Sequence, residues 1–282
     1  MPPSPRVLLS IDYEPWFALT RRHDHLSGVE QRRDLDGGFS LRALHPIFDL
    51  LGNTKSSFYL VGEIAEWYPQ VPKMIKDTGH ELGFHCHHHR SLMKTVELQQ
   101  DLAASASWVK QYGVRGYRAP MIGIDDESYA LLAQNGFAYS SSIYAPAGTL
   151  VKKNDIWELP VSTLPLFGHP KKENISAPRN FSLGLLAAGE VPYGSSFVIG
   201  LMPNITMHIL ERQLRAGLSP VIFLHPYELF RPDDFFRKMR QDVIAYPLLL
   251  PFFADKSNFL TTLVKNLPVS PLGTYLDEVL NV

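Results

Sequence analysis

The chain has 282 residues, 45% hydrophobic and 20% charged, which is enough to bury a substantial core and too apolar for disorder on a large scale. Its 27 Lys and Arg balance 28 Asp and Glu with no concentrated basic stretch, which argues against nucleic acid as a partner. The longest apolar run, "AYPLLLPFFA" at 245–254, holds two prolines and falls short of the roughly 20 residues that span a bilayer, so no transmembrane segment is expected. The start, "MPPSPRVLLSIDYE", lacks the apolar region of a signal peptide, and a single cysteine, Cys86, excludes an internal disulfide; the expected compartment is the cytoplasm. Nothing in the sequence fixes an oligomeric state.

Short β-branched and aromatic runs alternate with longer stretches of helical spacing. In chain order the pattern predicts strands at 6–12 and 56–62, a helix at 68–79, a strand at 81–85, a helix at 96–113 and a strand at 114–120. A helix at 125–136, strands at 137–143 and 156–162, a helix at 204–217 and a strand at 219–225 follow. Each helix closes on a glycine suited to a C-cap. The stretch from Asp233 onward reads as helical. Such alternation implies a parallel sheet covered by helices, either a barrel or a doubly wound open sheet.

In parallel α/β folds ligands sit at the carboxyl ends of the strands, and five of the predicted strands run directly into polar residues. The first meets Asp12 and Glu14, the third His85, the fourth Arg118, the sixth Trp157 and Glu158, and the last His225. Gathered at one face, these groups supply acid, base, guanidinium and imidazole, which points to an enzyme.

Residues 85–89 crowd four histidines and Cys86 into five positions. His85 and His89 are four apart, so a helical turn after the strand projects both from one face as a metal pair. Asp12 and Glu14 alternate along an extended segment and face one side, so one carboxylate can complete a three-ligand site while the other takes a proton. Phe17, Trp157 and Tyr227 offer aromatic faces on which a sugar ring could stack.

Together these residues resemble the polysaccharide deacetylase family, also called the NodB-homology or carbohydrate esterase family 4 group. "SIDYE" is similar to its D-x-D/E motif, "GFHCHHHRSL" to H-x-x-x-H, "GYRAP" to R-x-P, and "VIFLHPYEL" to the leucine-histidine motif. That last form, with "WELPVST", resembles the subgroup associated with extracellular polysaccharide and O-antigen synthesis. The resemblance runs from about residue 6 to 230.

The resemblance implies a distorted (β/α) barrel of about seven parallel strands, one domain over 1–282 with a helical part at 231–282 on the barrel. It implies metal-dependent removal of an acetyl group, N-acetyl before O-acetyl, from a sugar or glycan precursor of surface polysaccharides. Carried over by position, Glu14, His85 and His89 hold a divalent ion, usually zinc. Asp12 is the general base, His225 the general acid, Arg118 orients the base, and the Met121 N–H helps hold the oxyanion.

Two positions depart from the commoner pattern. The carboxylate ligand is Glu14, one residue beyond the usual aspartate. Ser140 stands where relatives often carry an aspartate, leaving Glu228 or Glu158 to support the imidazolium of His225. Alternatives are a hydrolase of a small cyclic amide or ureide on the same scaffold, and a non-catalytic relative that binds metal or glycan.

Overall fold

Strand β1 (Val7–Tyr13) is buried along its whole length, as a strand must be when helices cover one face and a filled interior the other. It lies second from one edge of a curled sheet in a computed structural model that describes residues 3–281 apart from 24, 27, 90–94, 169–174, 176–178, 180 and 181. The other strands are β2 (Ser57–Val61), β3 (Glu81–Cys86), β4 (Gly116–Tyr117), β5 (Tyr139–Ser140), β6 (Tyr144–Pro146), β7 (Val151–Lys153), β8 (Ile156–Glu158), β9 (Val161–Pro165), β10 (Glu190–Val191), β11 (Val221–Leu224) and β12 (Val269–Ser270).

The order β11-β1-β2-β3-β4-β5-β8 is parallel throughout, which makes seven parallel strands. β7 adds antiparallel to β8, and β12 pairs with the beginning of β1. A small sheet, β10-β9-β6, stands beside the free edge of β11. The join runs through Gly194: its N–H donates to Ser162 C=O, and its own C=O accepts from Phe223 N–H at 3.0 Å. A Cβ there would lie 2.3 Å from the Val221 carbonyl oxygen, so only glycine permits this approach. The result is a distorted (β/α) barrel.

The two-residue period of the strands divides the core. Leu8, Tyr59, Tyr139, Val221 and Phe223 fill the interior, while Leu9, Ile11, Phe58, Leu60, Phe84 and Ile222 pack outward with the helices. The interior face of each strand therefore leads to a residue that points into the mouth of the barrel. Helices Gln70–Asp77, Thr95–Gln111, Asp126–Gln134 and Pro203–Arg215 lie in the stretches predicted for them.

Between β1 and β2 stand three further helices, Val29–Asp36, Phe39–Arg42 and Leu44–Leu51, that periodicity does not predict. Left-handed Gly37 and Gly38, at φ 59° and 78°, break the first of these helices from the second. The stretch after residue 230 forms helices Phe235–Ala245, Ser257–Asn266 and Leu272–Leu280, and also returns β12 to the sheet. Among the described residues no helix is long and apolar enough to cross a membrane.

Candidate active site

β1 alternates Ser10 and Asp12 into the barrel against Leu9, Ile11 and Tyr13 outward, and Glu14 continues the inward series one step past the strand. Asp12 is 3% exposed and Glu14 2%, so both carboxylates depend on protein partners. Arg118 Nη1 donates to both oxygens of Asp12 at 3.1 Å. The same guanidinium donates to Ser141 Oγ at 2.9 Å and lies over the rings of Tyr59 and Phe223. It is fully buried, which fixes the plane of the Asp12 carboxylate.

β3 brings in His85, whose Nδ1–H donates to the Arg118 carbonyl at 2.7 Å. This bond sets the tautomer and leaves the Nε2 lone pair facing Glu14 Oε2, 3.6 Å away. His89 Nε2 approaches the same oxygen to 2.7 Å, and the two imidazole centroids are 5.1 Å apart. The pair meets as expected, but not on a helical turn: His85 lies within β3, and a bend at 87–88 carries the chain round to His89. Buried side-chain and backbone contacts of the bend take the place of helical hydrogen bonds.

Glu14, His85 and His89 offer ligand atoms within 4.8 Å of one another. Glu14 Oε2 is buried and makes no aligned hydrogen bond among the described residues despite the nearby imidazoles, so the three atoms converge on a point instead of pairing off. Two imidazoles and one carboxylate form the donor set of an open divalent site, and the residues fit such an ion. Burial disfavours the Glu14 carboxylate, but His89 and His225 outweigh it and hold its pKa well below the usual range. Its other oxygen, Oε1, accepts the Tyr227 hydroxyl at 2.7 Å.

The sequence leaves His87 and His88 without a role. His87 N–H and His88 N–H both donate to Asp101 Oδ2, and the His88 ring meets Glu63 at 3.0 Å, on the side away from Glu14.

His225, at the end of β11, sets Nε2 3.8 Å from Glu14 Oε1. Its Nδ1 lies 3.1 Å from Glu228 Oε1 and 3.1 Å from Ser196 Oγ, while its backbone N–H donates to Glu228 Oε2 at 2.8 Å. Lys256 Nζ, 2% exposed, completes the cluster 2.8 Å from Glu228 Oε1. Burial opposes charging His225, yet Glu228 and Glu14 prevail and raise its pKa. Of the two carboxylates offered by sequence as its support, Glu228 is the one in contact. Glu158 instead accepts from Ser142 N–H, Ile143 N–H and the Tyr129 hydroxyl on the helix side of the barrel. Ser140 faces that side too, bonded to Ser142, so its departure from the family pattern does not reach His225. Ser141 is the inward residue of this pair.

Two expectations for aromatic contacts are corrected. Tyr227 has no free face: it is fully buried, stacked on His225 at 5.1 Å and on Phe235 at 6.1 Å. Its hydroxyl holds Glu14 instead of a sugar. Phe17 is likewise buried, between Trp16 and Trp67. Trp157 stays outside this group, its partly exposed ring packed on the interior cluster with Lys152 Nζ 5.9 Å away. Met121 is 62% exposed in a left-handed conformation at φ 57°, and its N–H makes no hydrogen bond among the described residues. Such backbone strain in a non-glycine residue is typical of functional sites.

Ser196, Asp101 and Lys256 were not found by sequence reasoning. Each belongs to a helix or loop far along the chain, with no motif to mark it; Glu228, three residues after His225, was the visible signal.

The polysaccharide deacetylase family model matches residues 46–140, the segment that carries His85, His89 and Arg118. A peptidoglycan deacetylase-like protein of Gibberella zeae is 27% identical over 153 residues, 49% of this chain and 44% of that protein. The chain thus spans less than half the length of this curated relative. Among solved structures, a Mycobacterium smegmatis protein named for the polysaccharide deacetylases aligns over 96% of both chains at 18% identity and TM-score 0.51. An allantoinase aligns over 96% of this chain and 89% of its own at 12% identity and TM-score 0.59. These two likenesses are of fold. The family match is confined to residues 46–140, and with the ordered motifs at the mouth of the barrel it makes this chain similar to the polysaccharide deacetylase family, the NodB-homology group.

Proposed function

We propose that this protein is a metal-dependent hydrolase that removes an N-acetyl group from a sugar or glycan precursor in surface polysaccharide synthesis. The observation that carries the reading is the convergence of Glu14 Oε2 with two imidazoles, flanked by the Arg118-bound carboxylate of Asp12 and by His225. Glu14, His85 and His89 would hold the ion, zinc being the first choice for two imidazoles and a carboxylate. A divalent ion there supplies a Lewis acid that polarises the acetyl carbonyl and acidifies water.

The chain's own groups do the rest. Asp12, its oxygens aligned by Arg118, accepts the proton of the attacking water. The Met121 N–H donates to the developing oxyanion, a contribution of about 100- to 1,000-fold in comparable sites. His225, with Nδ1 held by Glu228, presents Nε2 to the departing amine and gives it a proton. An amide nitrogen leaves only when protonated, so this step makes the site suited to N-acetyl groups.

Elemental analysis of wild type and of Glu14→Ala, His85→Ala and His89→Ala, followed by acetate release from N-acetylated sugars, tests the reading. One divalent ion in wild type, lost in all three variants, with acetate released by wild type alone, is the expected result. A wild-type chain that takes up no ion when supplied with one refutes the metal centre. An ion with ring opening of a cyclic ureide to its ureido carboxylate, and no acetate, refutes the substrate.

A further inference from the structure

We propose that Asp101 and Glu63 are positioning residues for His89, fixing in advance the bend that seats this ligand; the inference rests on the metal centre proposed above. His85 is held by its strand, but His89 stands beyond a bend that belongs to no helix among the described residues. Two neighbouring helices grip that bend.

From helix Thr95–Gln111, Asp101, 2% exposed, places one carboxylate oxygen 2.7 Å from the His87 N and 3.2 Å from the His88 N. A single acceptor thus takes two successive backbone N–H groups, which dictates the turn between them. Helix Gly62–Trp67 grips the other side: Glu63 N–H donates to the His87 carbonyl at 3.1 Å, and the Glu63 carboxylate meets His88 Nδ1 at 3.0 Å. Arg32 in turn holds Glu63 with a two-pronged contact at 2.5 and 2.8 Å. The approach is so close that a Cβ on Gly62 would lie 2.6 Å from His87 Nδ1 and 2.3 Å from Ser105 Oγ.

The two surplus histidines therefore serve as handles. His87 and His88 give their backbone and both rings to the clamp, the His87 Nδ1 lying 3.0 Å from Ser105 Oγ of helix Thr95–Gln111, and His89 is delivered to Glu14. A loop ordered beforehand does not have to lose its freedom when the ion binds, so the clamp raises affinity without touching the ion. Partners of this kind behind metal ligands typically change affinity by about 10- to 100-fold.

The experiment is zinc affinity, by competition with a chelating dye, for wild type, Asp101→Ala, Asp101→Asn and His88→Ala, each well below its own unfolding temperature. Asp101→Ala is expected to weaken zinc binding about 10- to 100-fold while still binding one ion at saturation. Asp101→Asn retains an acceptor oxygen and should recover most of the loss. His88→Ala, a half-exposed site whose removal threatens the fold least, should weaken binding about 10-fold, which keeps the test open if Asp101→Ala does not fold. Wild-type affinity in Asp101→Ala or His88→Ala overturns the proposal, as does an Asn variant that loses as much as the Ala variant. Failure of wild type itself to bind zinc shows up before any variant is compared and overturns the metal centre, not the clamp alone.

Discussion

Glu228→Gln is the sharpest probe of the acid side of the site. Glu228 touches His225 twice, accepts the Ser196 hydroxyl at 2.8 Å and pairs with Lys256 at 2.8 Å, all with less than a tenth of any of these side chains exposed. At an effective dielectric of about 20, charges at that separation attract by about 6 kcal/mol, most of it offset by desolvation. Removing one member of a buried pair costs about 3–5 kcal/mol, because the other charge is stranded. Stability should fall by that order, and Lys256→Met in the same chain should restore most of it.

Catalysis should not be restored with it. Glutamine keeps an acceptor oxygen but not the negative charge that favours the His225 imidazolium, and general acid help of about 100- to 10,000-fold is at stake. The assay compares an N-acetylated sugar with p-nitrophenyl acetate, whose leaving group needs no proton. The amide rate should collapse in both the single and the double variant, the activated ester should lose less than about tenfold, and metal content should not change. Equal losses on both substrates, or an unaffected amide rate, refute the assignment of His225 and Glu228.

Asp12→Asn should abolish most turnover and retain the ion, as read by elemental analysis; loss of the ion would mean that Asp12 and Glu14 have exchanged roles. Tyr227→Phe removes the hydroxyl bonded to Glu14 and should weaken zinc binding about 10- to 100-fold by dye competition, whereas a sugar-stacking tyrosine would tolerate phenylalanine. His80 gives a pH signature remote from the site. Burial, with Lys55 nearby, lowers its pKa from 6.5 to about 4, and neutral Nδ1 accepts the Ser56 N–H. Its stabilisation is complete above pH 6.5 and is lost as pH falls toward 4, by at most about 3 kcal/mol and by about 2 after solvent screening. Chemical denaturation across that window should show the loss in wild type and a smaller one in His80→Asn.

The long strands and the groups at their ends were legible because both obey local rules. β1, β2, β3 and β11 are rich in β-branched, aromatic and other apolar residues, and the polar residues at their ends are there for a reason that the fold class supplies. What local rules could not reach was partnership across the barrel. Tyr227 looked like a sugar platform because sequence does not show that His225 and Phe235 cover its two faces. Ser140 looked like a missing carboxylate because the period of two, slipped by one residue, moves a side chain from the mouth to the helix layer; Ser141 is the one that faces Arg118. The bend at 87–88 was read as helical since four-residue spacing is shared by a helical turn and by any loop clamped into the same span.

Arg118 serves the two halves of the site by different means. Its guanidinium aligns Asp12, whereas its main-chain carbonyl fixes His85, and only the first of these is written in the side chain. On this architecture an inherited change at codon 118 can take away the orientation of the base and leave the seat of the ion standing. On the proposed reading hydrolysis and ion retention are thus separable by one evolutionary step.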